Sequence, residues 1–279
     1  MEVFNSFHEF PQRFLDKSYS LGMVPTMGAL HDGHLSLVEK AISENDKVLI
    51  TIFINPTQFD DDKDLMNYPR ELQKDLEKIS HFGENIWAYT PNASEIYGEH
   101  LESKHYDLNS LETVMEGKSR AGHFQGVATV VEYFLKTFSP TRAYFGEKDY
   151  QQLQIITHLN ELLGLSTEIV GCPIVRTSDG LAMSSRNALL TVEERKIAPQ
   201  IYQGLQLAKK LAKDYIYKSI LDEVHAFFHK HSELKLEYFT AADPSTLVEF
   251  EPDEKITRGR GFIAVRLGKI RLIDNINMS

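Results

Sequence analysis

The chain has 279 residues, 42% hydrophobic and 25% charged, which is the balance of an ordinary globular protein long enough for two modest cores. Its formal net charge of −10 argues against a nucleic-acid-binding surface, and its one cysteine, Cys172, has no internal partner for a disulfide, which fits a reducing cytoplasm. The longest apolar run, Val48–Ile54, is far too short to span a bilayer, and Met1-Glu2-Val3-Phe4 lacks the basic start and apolar stretch of a secretory leader.

Taken in chain order, strand-like runs at Leu21–Val24, Val48–Ile54, Ile86–Tyr89, Ala143–Phe145 and Thr167–Val170 alternate with helical patterns. Those patterns lie near Leu35–Asn45, Arg70–Phe82, Gly126–Phe138 and Tyr150–Leu163. Such alternation predicts crossover connections and a parallel, Rossmann-like α/β sheet. Ligands of such sheets bind beyond the carboxyl ends of the strands. After about Val175 the pattern changes. Helices at Val192–Ala212 and Ile216–His231 precede strand candidates Leu236–Ala241, Phe262–Leu267 and Ile270–Ile273, with Gly268-Lys269 as a hairpin turn. The expected division is residues 1–175, binding the substrates, and 176–279, a smaller α+β lid domain.

Three turns carry chemistry. After the first strand, His31-Asp32-Gly33-His34 opens a helix. Two imidazoles three residues apart share a face, and the helix start adds N–H donors and partial positive charge. Gly33 leaves room for a flat ring or a ribose to approach. The combination suits a nucleoside triphosphate with pyrophosphate as leaving group, although a solvated turn presents the same pair. In the second turn, Gly146-Glu147-Lys148-Asp149, Lys148 is a point charge for phosphate, while Asp149 is divided between helix cap and ribose ligand. The third is Met183-Ser184-Ser185-Arg186, a hydroxyl-rich loop whose arginine offers a planar fork to phosphate oxygens. It also reads as the approach to the capping box Thr191–Glu194.

The ordered series Pro25-Thr26-Met27-Gly28, His31–His34, Phe53–Phe59, Tyr68-Pro69-Arg70, Ser119–Phe124, Phe145–Asp149 and Met183–Asn187 resembles the pantothenate synthetase family. The ending Arg271-Leu272-Ile273-Asp274-Asn275 is similar to that family too. Ala121, where proline is expected, and the acidic run Asp60-Asp61-Asp62 depart from it. The resemblance implies an AMP-forming ligase of coenzyme A biosynthesis with a His-x-Gly-His nucleotidyltransferase site. Pantoate, ATP and β-alanine would give pantothenate, AMP and pyrophosphate through a pantoyl adenylate.

By the same resemblance His34, His31, Lys148 and Arg186 are catalytic. ATP would be bound by Met27, Gly28, Ala29, Leu30, His31, Asp32, Gly33 and His34, by Gly146, Glu147, Lys148 and Asp149, and by Val175, Met183, Ser184, Ser185 and Arg186. Gln58, Gln152 and Asn55 would hold pantoate or β-alanine, and Arg120 and His123 lie on a loop that either serves β-alanine or the phosphates or is plain surface. Mg²⁺ should bridge the phosphates; no carboxylate cluster marks a protein site for it, and Asp75 is a weak candidate. A homodimer is expected, with no nucleic-acid or membrane partner. Two rival classes stay open: another nucleotidyltransferase with the same helix, acting on cytidine nucleotides or tRNA, and a non-catalytic nucleotide-binding protein.

Overall fold

Six short strands pair in parallel in the order β1-β4-β3-β2-β5-β6. They are β1 Glu2–Phe4, β2 Leu21–Thr26, β3 Lys47–Ile52, β4 Ile86–Tyr89, β5 Arg142–Gly146 and β6 Glu168–Cys172. A computed structural model describes the chain apart from Gln12, Arg13, Leu15, Asp16, Lys17, Asp60 and Asp61, and apart from the side chains of Asp62 and Lys63. Most of the acidic run Asp60–Asp62 therefore lies outside the described residues.

The four inner strands, β2 to β5, are mostly apolar because both faces of the sheet are covered there, while the edge strands β1 and β6 are part-exposed. On one face Val24, Ile50, Ile52 and Ala88 pack with Leu37, Val38 and Ala41 of the Asp32–Glu44 helix and Ile79 of the Leu72–Ser80 helix. The alternate residues point the other way. Trp87 meets Phe14 and Tyr89 meets Phe138, at ring-centroid distances of 5.3 and 5.0 Å. The connections run outward from β2 in both directions, to β3 and β4 on one side and to β5 and β6 on the other. The point between β2 and β5 is thus the switch point of the sheet, where open α/β sheets hold ligands.

A second sheet is antiparallel, β7 Leu234–Ala242, β8 Arg260–Leu267 and β9 Ile270–Asn277, with β8 and β9 joined at Gly268 in a left-handed turn (φ 57°). Ile201, Leu205 and Ala208 of the Gln200–Leu211 helix and Ile220, Val224 and Phe228 of the Tyr217–Lys230 helix pack with Phe239, Ile263, Val265 and Leu272 of that sheet. The chain forms two compact units, Met1–Glu147 with Gln152–Pro173, and Lys148–Gln151 with Ile174–Ser279. Residues 148–151 thus group with the later part of the chain, not with the first domain as expected.

The α/β class and the smaller α+β part match the sequence expectation. Three details differ. The helix expected over Val192–Ala212 is two helices, Val192–Ile197 and Gln200–Leu211, because Pro199 lacks the N–H that a continuous helix needs. The β3 strand ends at Ile52, leaving Phe53 and Ile54 to enter the following turn. Strand β1 was not expected, three residues being too few for a periodic signal. Among the described residues no helix is long and apolar enough to cross a membrane.

Candidate active site

The first turn leaves β2 at Thr26, whose hydroxyl donates to the Thr51 carbonyl at 2.8 Å and accepts the Gly28 N–H at 3.2 Å. Gly28 (φ 81°) and Ala29 (φ 49°) are both left-handed. A side chain at Gly28 would meet Asp75 Oδ2 at 3.0 Å and Ile52 Cγ2 at 3.2 Å. Only glycine suits this place on both counts. Leu30 is buried, and His31 in extended conformation is the N-cap of the Asp32–Glu44 helix.

His31 and His34 are half-buried, with ring centroids 4.0 Å apart and planes tilted by 32°. The His31 N–H donates to His34 Nδ1 at 3.3 Å. This makes Nδ1 the acceptor, so a neutral His34 carries its proton on Nε2 and is a donor there. Asp32 is exposed in the first helical turn beside half-buried Gly33. The switch-point position of this pair follows from β2, and Gly146 ends the neighbouring strand β5, with Glu147 opening the turn after it.

The second turn leaves β3. Asn55 and Gln58 are buried in the turn Pro56–Gln58. The Asn55 amide donates to Gln58 Oε1 at 3.3 Å and to the Gly126 carbonyl at 3.0 Å. Its oxygen accepts from Thr57 N–H at 3.3 Å, from the Thr57 hydroxyl at 3.1 Å and from the Tyr97 hydroxyl. Asn55, expected on a substrate, has its amide group bonded to Gln58, Gly126, Thr57 and Tyr97. Gln58 Nε2 donates to Met27 Sδ at 2.7 Å, joining two predicted site residues.

His123 was expected on a loop. It starts the His123–Phe138 helix, is buried, and donates from Nδ1 to the Gln58 carbonyl at 2.7 Å. Arg120 donates to the same carbonyl at 3.2 Å. These two residues therefore hold the Gln58 backbone. Gln152, half-buried, lies in the first turn of the Tyr150–Leu162 helix.

In the second unit, Lys148 and Asp149 belong to a single turn, Glu147–Asp149, with Lys148 Nζ 3.4 Å from Asp149 Oδ1. The Lys148 carbonyl accepts from Asn275 Nδ2 at 2.9 Å. Asn275 in turn is fixed by its N–H on Asp274 Oδ1 at 2.7 Å and by Arg260 on its oxygen. Buried Asp274 takes two hydrogen bonds from Arg176, at 2.6 and 2.9 Å. The Arg271–Asn275 motif thus supports the Lys148 backbone. Val175 accepts from Met183 N–H at 3.0 Å. Ser184 Oγ accepts from Arg186 N–H at 3.3 Å and caps the turn Ser185–Leu189; a hydroxyl that accepts there keeps its own proton as a donor. Ser185 and Arg186 are half-buried. The Thr191–Glu194 capping box forms as expected.

Two further groups are settled by their surroundings. Cys172 is buried, and burial pushes its thiol up to about 11, as suits a packing residue rather than a nucleophile. Asp75, the weak Mg²⁺ candidate, is 1% exposed. Its Oδ2 accepts from Ala29 N–H at 2.8 Å and its Oδ1 from Leu30 N–H at 2.7 Å. Both oxygens are committed to backbone, which does not fit a metal ligand. Among the described residues no group of three histidine, cysteine or carboxylate side chains could hold a metal ion. Tyr97 and Gly126 are site-building residues that single-sequence reading missed, and Asp75, read there as a weak Mg²⁺ candidate, holds the turn instead.

The family model for pantoate-beta-alanine ligase matches residues 2–277. The chain is 48% identical over 268 residues to a pantothenate synthetase of Christiangramia forsetii, covering 96% of this chain and 95% of the relative. It is 45% identical over 265 residues to that of Flavobacterium psychrophilum, covering 95% and 94%. Among solved structures it is similar to pantothenate synthetase from Thermus thermophilus, at 37% identity and a TM-score of 0.91 over 100% of this chain and 99% of that one. It is also similar to pantoate-beta-alanine ligase from Francisella tularensis complexed with beta-gamma ATP and beta-alanine, at 32% identity and a TM-score of 0.78 over 100% and 98%.

Proposed function

The chain belongs to the pantoate–β-alanine ligase family, and on that premise we propose that it joins its two substrates through a pantoyl adenylate. It is an ATP-dependent ligase that condenses pantoate with β-alanine. In the first step a pantoate carboxylate oxygen attacks the α-phosphorus of ATP, and the bond from that phosphorus to pyrophosphate breaks. In the second, the β-alanine amine, having lost a proton, attacks the activated carbonyl, and the bond to AMP breaks. Both steps need positioning and charge stabilisation more than a protein nucleophile.

The observation that carries the reading is the His31–His34 pair, its rings 4.0 Å apart at the exit of β2 beside the sheet's switch point, in a chain matched to the family from residue 2 to 277. In this reading His34, a donor at Nε2, meets the charge on the α-phosphate, with His31 beside it. The backbone of Met27–Leu30, Asp32–Gly33 and Gly146–Glu147, with Asp149, Val175 and Met183, contacts the nucleotide. Lys148, Ser184, Ser185 and Arg186 hold the triphosphate. Gln58 and Gln152 grip pantoate with neutral amides. The Gln58 bond to the Met27 sulfur is the easiest to exchange for a ligand, because sulfur is a weak acceptor. ATP enters as its Mg²⁺ complex, the ion riding on the phosphates. The lone buried Cys172 suits a reducing cytoplasm, and a homodimer belongs to the same proposal.

The decisive experiment measures AMP and pyrophosphate release from Mg²⁺-ATP, omitting pantoate and β-alanine in turn, with ¹⁸O in the pantoate carboxylate. Pyrophosphate released on pantoate alone, and label appearing in AMP after β-alanine is added, are the expected results. Unlabelled AMP would rule the adenylate out.

A further inference from the structure

We propose that Asp75 is a positioning residue for the catalytic histidines: its carboxylate holds the turn from which the His31–His34 helix start projects. The inference rests on the ligase reading above and adds a residue to it. The turn has three anchors. Leu30 is 2% exposed and belongs to the hydrophobic core that also holds Val24, Leu37, Ile52 and Ile79. The N–H groups of Ala29 and Leu30 both end on Asp75, at 2.8 and 2.7 Å. Lys78, one turn further along the same helix, donates to the Leu30 carbonyl. The next residue is His31.

The turn needs such a partner. Ala29 has a side chain yet sits at φ 49°, a left-handed conformation that L-residues rarely adopt. Two adjacent N–H groups of a left-handed turn point to one side and form a small anion-binding concavity. A carboxylate fills it with two charge-assisted bonds, the strong kind. Gly28 makes the approach possible, since a Cβ there would come 3.0 Å from Asp75 Oδ2. Burying a carboxylate is costly unless its oxygens are bonded. Here both are bonded, and the residue lies in the first turn of the Leu72–Ser80 helix, whose start carries partial positive charge. The consequence lies at His31: its backbone N–H sets the His34 tautomer, so a turn that drifts also releases His34.

Asp75→Asn is the test. A carboxamide can accept one of the two N–H groups but turns its own NH₂ toward the other. Pantoate-dependent pyrophosphate release should fall about 10²-fold in kcat, the usual result of displacing a catalytic group by about 1 Å. KM for ATP and pantoate should stay within about threefold, since the bonds lost are not made to substrate. In NMR spectra the His31 and His34 imidazole signals should move while that of His123 stays. Lys78→Met, which removes only the carbonyl anchor, should lower kcat about tenfold and move the same two signals. Wild-type turnover with unmoved signals would overturn the proposal. So would recovery of Asp75→Asn by excess Mg²⁺, which marks a metal ligand. Movement of every imidazole signal in both variants, which marks general loss of structure, would overturn it as well. A wild-type chain that released no pyrophosphate on pantoate would sink the ligase reading, while the imidazole signals would still decide the role of Asp75.

Discussion

The Asn55 amide donates to Gln58 Oε1 at 3.3 Å, and its second N–H is taken by the Gly126 carbonyl at 3.0 Å. Asn55, itself proposed as a substrate residue, thus also supports Gln58. Gln58→Ala should raise the pantoate KM at least tenfold more than the ATP KM. Asn55→Ala should shift the same constant in the same direction by less, and should also lower stability by about 1–3 kcal/mol through the partners it leaves unbonded. Steady-state kinetics with each substrate varied, alongside thermal melting, checks both. Equal changes in the two KM values would mean that Gln58 shapes the site generally.

His34→Ala should reduce turnover by about 10² to 10⁴, the range for loss of one transition-state charge partner. His34→Gln, which keeps a donor, should recover part of that rate if Nε2 donates as its tautomer requires. Near-normal turnover in a folded His34→Ala variant would remove His34 from the mechanism.

Arg186→Ala should slow pyrophosphate release in the presence of pantoate and before β-alanine is added, by about 10- to 10³-fold. Charge moves onto the leaving pyrophosphate in that step, and a guanidinium follows it with two parallel donors. Arg186→Lys keeps the charge without the fork and should restore only part of the rate. If both variants release pyrophosphate at the wild-type rate, the phosphate-clamp role must be abandoned.

Acid sensitivity should trace in part to Glu132. Burial pushes its carboxyl up, but hydrogen bonds from Lys104, Lys136 and Tyr106 outweigh that and hold it at about 2. A carboxyl depressed on folding stabilises the native state above its unfolded value, about 4.3, and loses that contribution as pH falls toward the folded value. The melting temperature should thus decline between about pH 4.5 and 2, and Glu132→Gln should flatten that decline. Identical slopes for the two proteins would assign the acid sensitivity elsewhere.

Much of the first sheet was legible from the chain alone, because a strand buried on both faces is written as a continuous apolar run. Ile86–Tyr89 was read with its observed bounds, and the helices that follow β2 and β5 began within three residues of their predicted starts. The His31–His34 pair and the Thr191–Glu194 capping box were equally readable, since both depend on spacings of three residues along one helix. Boundaries failed where local signals were weak or overridden, as at three-residue β1 and at Pro199, whose missing N–H outweighed the apolar periodicity around it.

What only the tertiary structure decided is the set of bonds that hold the reactive side chains. Asp75 meets Leu30 across 45 positions, Asn55 meets Gly126 across 71, and Asn275 meets Lys148 across 127. No periodicity records such pairs. Each is a polar contact whose partner is chosen by how the elements pack, and nothing in the sequence ties a carboxylate to a turn 45 residues away.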